Sequence, residues 1–198
     1  MGIGGVSEAE LLIESERDLT VRDWSQDGRW LVYARSDEET GSDIWAAPAD
    51  GTGEPRLLRG RQGLDIPGPI SPNGRWLAYV SEESGAPEVY ITPFPDAGRR
   101  WQVSTSSGFY PFWNSNGREL VYQQLDGRVM SVEVELGEES VRLGESVPLF
   151  DLAPPEPIGP SFAASADCER FLVIPKGETT NTTLLNLMVG WPKVLEKN

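Results

Sequence analysis

Apolar residues along this chain come in short alternating bursts, and none is long. In Arg29-Trp30-Leu31-Val32-Tyr33 and again in Arg75-Trp76-Leu77-Ala78-Tyr79, every position after the arginine is apolar or aromatic. A strand sends successive side chains to opposite faces. These strands therefore carry apolar groups on both faces, as a sheet packed between two others requires. Each burst follows an Asx-Gly pair: Asp27-Gly28, Asn73-Gly74 and Asn116-Gly117. Such pairs suit tight turns that need a positive φ. The longest apolar runs, such as Leu187-Met188-Val189, are only a few residues long, far short of a membrane span.

The bursts belong to a repeat. Asp23 to Tyr33 reads DWSQDGRWLVY, Pro69 to Tyr79 PISPNGRWLAY, Phe112 to Tyr122 FWNSNGRELVY, and Ala163 to Val173 a worn AASADCERFLV. Anchored on the turn residue, the copies sit at Gly28, Gly74, Gly117 and Cys168, 46, 43 and 51 residues apart. A strand-rich period of this length predicts propeller blades. A third strand is expected at Asp43-Ile44-Trp45, at Glu88-Val89-Tyr90 and at Arg128-Val129-Met130. An outer strand follows at Pro55 to Leu58, at Trp101 to Ser104 and at Pro148 to Phe150. The expected fold is thus all-β, a β-propeller of about four four-stranded antiparallel blades.

The blades span residues 19–60, 61–106, 107–150 and 157–198. Residues 1–18 supply an N-terminal outer strand at Glu10-Leu11-Leu12-Ile13-Glu14. The fourth blade has inner strands at Ser161 to Ala164 and Arg170 to Ile174 and a third at Thr183 to Val189, but no outer strand of its own. The N-terminal strand is expected to complete it and so remove an exposed edge. Cys168-Glu169 replaces Gly-Arg in this copy, which predicts a turn of different shape. Asp151 to Pro160, with four prolines, reads as a stiff extended link. A row of four blades leaves two apolar flanks. Closure by a second chain into an eight-bladed ring is favoured over a four-bladed ring within one chain. A fragment of a longer propeller is the remaining alternative.

The phrase S-x-D/N-G-R-W-L-x-Y, followed by S-G-x-x-E/D-I/V-Y/W, resembles the repeat of the TolB-like propeller family. Gly41 to Gly51 (GSDIWAAPADG) and Gly74 to Pro95 (GRWLAYVSEESGAPEVYITPFP) carry the likeness most strongly. The stretch from Leu11 through Trp191 also resembles the sensor-like propeller at the C-terminal end of certain bacterial eukaryotic-like serine/threonine kinases. The kinase catalytic domain and the additional α/β domain of TolB have no counterpart in this sequence. The shared motif is structural, so the resemblance implies a fold and assigns no functional residue.

Composition narrows the chemistry. The 198 residues contain no histidine, which removes Ser-His-Asp and Cys-His catalysis and imidazole metal sites. Propeller lyases, which the resemblance includes, lean on histidine metal ligands. No G-x-S-x-G elbow or phosphate-binding glycine loop is present. The net charge of −14 repels phosphate backbones and anionic headgroups, so neither nucleic acid nor a membrane is an expected partner. Cys168 is the single cysteine, which rules out an internal disulfide. No signal peptide is visible at Met1 to Gly5, and the compartment stays open between periplasm and cytoplasm.

Two local features are candidate sites. The aromatic run Phe109, Tyr110, Phe112 and Trp113 precedes an inner strand near the channel mouth and suits a sugar or peptide ligand. Asp37 and Asp43 flank an oxygen-rich loop that a hard cation could use, although the spacing is not that of a calcium loop. The paired Glu82-Glu83 and the run from Glu133 to Glu139 read as solvated strand and loop residues. No cofactor is expected. The reading that follows is a non-catalytic binding or assembly module with a protein or small-molecule ligand at the channel mouth or a blade edge, favoured as a homodimer. The alternatives are a carboxylate- or metal-dependent lyase or hydrolase, and a purely structural remnant.

Overall fold

The computed structural model describes residues 11–152, 154, 162–173 and 186–189. All regular structure among them is β. The first unit is β1 (Leu19–Trp24), β2 (Trp30–Asp37), β3 (Gly41–Pro48) and β4 (Arg56–Arg59). The second is β5 (Gly63–Ile70), β6 (Trp76–Ser81), β7 (Glu88–Pro93) and β8 (Trp101–Gln102). The third is β9 (Phe109–Trp113), β10 (Glu119–Gln123), β11 (Arg128–Leu136) and β12 (Val141–Asp151). The fourth has β13 (Phe162–Ala164), β14 (Arg170–Val173) and β15 (Asn186–Val189). Within each unit consecutive strands pair antiparallel. A short parallel bridge, Gly41 with Gly63 and Ser42 with Leu64, ties the first unit to the second.

The two-faced apolar pattern becomes three separate cores, one at each junction. Along β6, Trp76, Ala78 and Val80 pack against Leu120, Tyr122, Val132 and Val134 of the third blade. The intervening Leu77 and Tyr79 pack against Val32, Ile44, Ala46 and Leu58 of the first. The same parity holds in every copy. Val121 faces the fourth blade, where Phe171, Val173, Phe162 and Cys168 meet it. Positions two and four after the turn residue face the next blade, and positions three and five face the previous one.

The turn itself is a conserved-shape network inside this chain. The Ser25 hydroxyl donates to Asp27 Oδ1 at 2.7 Å and accepts the Trp30 N–H at 2.9 Å. Ser71 does the same with Asn73 and the Trp76 N–H. The next N–H also binds the Asx oxygen, from Arg29, Arg75 and Arg118 at 3.0, 3.0 and 2.8 Å. The Ser25 hydroxyl, the Arg29 N–H and the Arg29 side chain together hold the Asp27 carboxyl down at about 2.

Cys168 corrects the expectation of a different turn. Ser165 binds Asp167 and the Arg170 N–H, and Asp167 accepts the Glu169 N–H, as in the first two copies. Cys168 takes φ 55°, beside 74°, 71° and 69° at Gly28, Gly74 and Gly117. The left-handed conformation costs a non-glycine residue roughly 1–2 kcal/mol, and the side-chain network together with burial of the thiol among Phe162, Phe171 and Val173 offsets that cost.

Two other expectations change. The third outer strand is much longer than Pro148 to Phe150: β12 runs from Val141, because the hairpin 137–140 closes on the Gly137 N–H to Ser140 C=O bond and Val141 buries into the core. Residues 11–15 form no strand, and Glu10 lies outside the described residues. This segment runs along the first blade instead. Leu12 Cδ2 stands 3.5 Å from where a Cβ on Gly51 would be, and Arg17 pairs with Asp37 at 3.0 Å. Leu11 and Leu12 stay exposed there, and no strand pairing ties them to the fourth blade among the described residues. Most of the 151–160 link also lies outside the described residues, although Leu152 is buried in the third core.

Two outcomes test this packing. Burial pushes the Cys168 thiol up to about 12, with Glu119 and Asp167 adding to the effect. Iodoacetamide at pH 8 should therefore label the native chain at least about a hundredfold more slowly than the guanidinium-unfolded chain. Asp65 is buried at the bridge between the first two blades, and burial, with Glu83 and Asp43 nearby, raises its pKa despite the Ser81 hydrogen bond and Arg59. Its Oδ2 and the Asp43 Oδ1 have no hydrogen-bond partner. A raised carboxyl pKa makes the charged form destabilising: its contribution is most favourable below the unfolded pKa and worsens as pH rises through the folded one. Asp65→Asn should raise the melting temperature by a few degrees at pH 7, and the difference should vanish near pH 3.

Candidate functional site

The innermost strands of the four blades, β1, β5, β9 and β13, converge on one cavity of about 380 Å³. Three of them are irregular at the same place. On β1 the register slips between Val21 and Asp23, leaving Arg22 unmatched; on β5 it slips between Pro67 and Ile70, and on β9 across Tyr110 and Pro111. A bulge breaks the ladder and re-aims side chains. Arg22, Gly68, Pro69, Tyr110 and Pro111, the bulged residues, all line the cavity. Tyr110 holds φ 51°, a conformation uncommon for an aromatic residue and one that stores strain.

The bulges are locked by contacts between neighbouring blades. The Ile70 N–H donates to Asp23 Oδ2 at 2.7 Å, while Oδ1 accepts the Trp24 N–H at 2.8 Å. The Trp113 indole N–H donates to the Pro69 carbonyl at 3.2 Å. Gly68 lies so close to its neighbours that an added Cβ would fall 2.6 Å from the Ala78 carbonyl oxygen and 2.8 Å from Pro111 Cγ. A side chain there would force the second and third blades apart.

The remaining lining is apolar: Ile66, Pro67, Val80, Phe112, Phe162, Ala163 and Ala164. Asp23 is the only carboxylate among the lining residues, and both its oxygens accept backbone N–H groups. Arg22 is exposed and has no hydrogen bond or ion pair among the described residues, in contrast to Arg17, Arg56 and Arg128, which pair with carboxylates.

The sequence-selected aromatics divide. Tyr110 and Phe112 line the cavity. Trp113 is buried in the core between the second and third blades, and Phe109 packs against that same core. Asp37 and Asp43 do not converge. Asp37 accepts the Glu39 and Thr40 N–H groups of its own hairpin and pairs with Arg17. Asp43, on β3, is buried opposite Arg35 of β2. No group of three or more Asp, Glu, Cys or His among the described residues is arranged to hold a metal ion. Sequence reasoning passed over Arg22, Pro69, Phe162 and Ala163. Their signal was positional: each stands five or six residues before the turn residue of its repeat, as Pro111 and Phe112 do.

No family model and no curated protein matches the chain. Solved structures do resemble it. TolB from Acinetobacter baumannii is similar with a TM-score of 0.61 and 15% identity, over 84% of this chain and 39% of that one. A putative TolB from Agrobacterium tumefaciens gives 0.53 and 20% identity, over 69% and 50%. An oligogalacturonate lyase in complex with manganese gives 0.54 and 14%, over 85% and 47%. The chain spans half or less of the length of each of these proteins. With four successive blades whose inner strands meet at one channel, it has the fold of the TolB-like β-propellers.

Proposed function

We propose that this chain is a non-catalytic binding module that takes a small-molecule or peptide ligand in the channel cavity. The observation that carries the reading is the coincidence of the three inner-strand bulges with the cavity wall. Strain and close approach are concentrated where the scaffold would present a ligand. A lyase or hydrolase reading finds less support: among the described lining residues the carboxylate is Asp23, whose two oxygens accept backbone N–H groups, and the chain has no histidine. The likeness to the manganese-bound lyase is one of fold alone.

Assembly belongs to the same proposal. The first blade exposes Val21, Trp24 and Leu57 at 66%, 58% and 50%, and the fourth exposes Leu172 at 39%. Arg170 and Leu172 occupy the positions that in other copies face the next blade. A second copy, placed head to tail, would bring these flanks together and close the ring.

Each part has its own measurement. In a thermal-shift screen of small aromatic and alkyl compounds and short peptides, hits should lose their stabilisation in Ala163→Trp, which fills the cavity from an exposed position. They should keep it in Leu57→Ser on the flank. Stabilisation that survives Ala163→Trp overturns the site. Light scattering at about 10 μM should give twice the chain mass, and Trp24→Asp should return it to the monomer. A monomeric wild type overturns the head-to-tail dimer.

A further inference from the structure

The cavity combines two features that rarely meet without a purpose: walls that are almost wholly apolar and one unpaired cation. Arg22 is that cation. The chain carries a net charge of −14, with 31 acidic against 17 basic residues, and Arg22 is the one arginine among the described residues that line this cavity. Other arginines without a carboxylate partner, such as Arg35, Arg59 and Arg99, lie over aromatic rings. Arg22 is held on a bulge, and its neighbour Asp23, which also lines the cavity, caps the Ile70 and Trp24 N–H groups. Asp23 keeps its charge, but its two oxygens are engaged by those N–H groups and it forms no ion pair with Arg22. Low-dielectric walls concentrate the guanidinium's field within the channel mouth.

We infer that the cavity selects a small ligand with an apolar body and one carboxylate, the carboxylate meeting Arg22 and the body lying among Phe112, Phe162, Pro69 and Pro111. This rests on the binding reading above. A planar guanidinium offers a carboxylate two parallel N–H donors, which a neutral amide cannot match in charge and an ammonium opposes. A bare inorganic anion would satisfy Arg22 but forgo the apolar wall. The volume of about 380 Å³ lies at the small end of ligand pockets, which favours a single ring with a short chain.

Calorimetric titration with 4-phenylbutyrate, 4-phenylbutanamide and 4-phenylbutylammonium tests the inference. The carboxylate should bind about tenfold tighter than the amide, and the ammonium more weakly than either. Arg22→Gln should erase the carboxylate's advantage and leave amide affinity unchanged, and Arg22→Lys should retain part of it. Arg22 is exposed and outside every core, so neither variant should alter the melting temperature. Equal binding of all three compounds, abolished by Ala163→Trp, overturns the inference and leaves the binding reading standing. A carboxylate preference that persists in Arg22→Gln likewise overturns it. Absence of binding by any of the three overturns the inference, and failure of the wider ligand screen overturns the binding reading.

Discussion

The blades of this chain are apolar on the faces they share, and the rest of the structure follows from that. A strand such as β6 has no solvent side: Trp76, Ala78 and Val80 need one neighbour, and Leu77 and Tyr79 need another. Burying a large side chain contributes about 1.5–3 kcal/mol, so each blade draws its stability from two junctions rather than from its own sheet. Repeat architectures in general are stabilised by such neighbour terms. The terminal blades show the consequence. The first leaves Val21, Trp24 and Leu57 exposed, and the fourth presents Leu172 to solvent.

The same stacking shapes the candidate site. Blades that pack through both faces bring their inner strands together, and at that convergence the ladder can no longer stay regular. The Asp23, Gly68 and Trp113 contacts hold the bulges against the neighbouring blade. Fold stability and site geometry are therefore carried by the same residues. Trp113 illustrates this. It sits in an aromatic run that reads as a ligand surface, yet its indole is a brace between two blades. Phe112, one residue earlier, points the other way along the strand and lines the cavity.

Much of the fold was legible in the chain. The turn phrase marked the first two strands of each copy, and its Ser, Asx and Gly positions carry the hydrogen bonds that close the turn. Outer strands were less legible. β8 is two residues long and β12 eleven, although both fill the same role. An outer strand's length depends on what lies across from it, and periodicity says nothing about that. The site was legible only in part, since an aromatic run advertises apolar surface without saying which face each ring takes. Asp37 and Asp43 look alike in the sequence and differ in the structure: Asp37 accepts N–H groups of its own hairpin, whereas Asp43 is buried with an oxygen that has no hydrogen-bond partner.

Local sequence by itself determined the repeat, the turn chemistry and the alternation, because these depend on residues within a few positions of one another. Even Cys168, which departs from the glycine of its counterparts, adopts their backbone conformation under the hold of Ser165 and Asp167. The tertiary structure alone decided where the leading segment lies, which aromatics are core, and that Arg22 stands unpaired at a cavity. Those outcomes depend on contacts between blades some 40–50 residues apart in sequence. A side chain's partner at that distance is set by how blade faces stack, and the stacking emerges only when all the blades are in place.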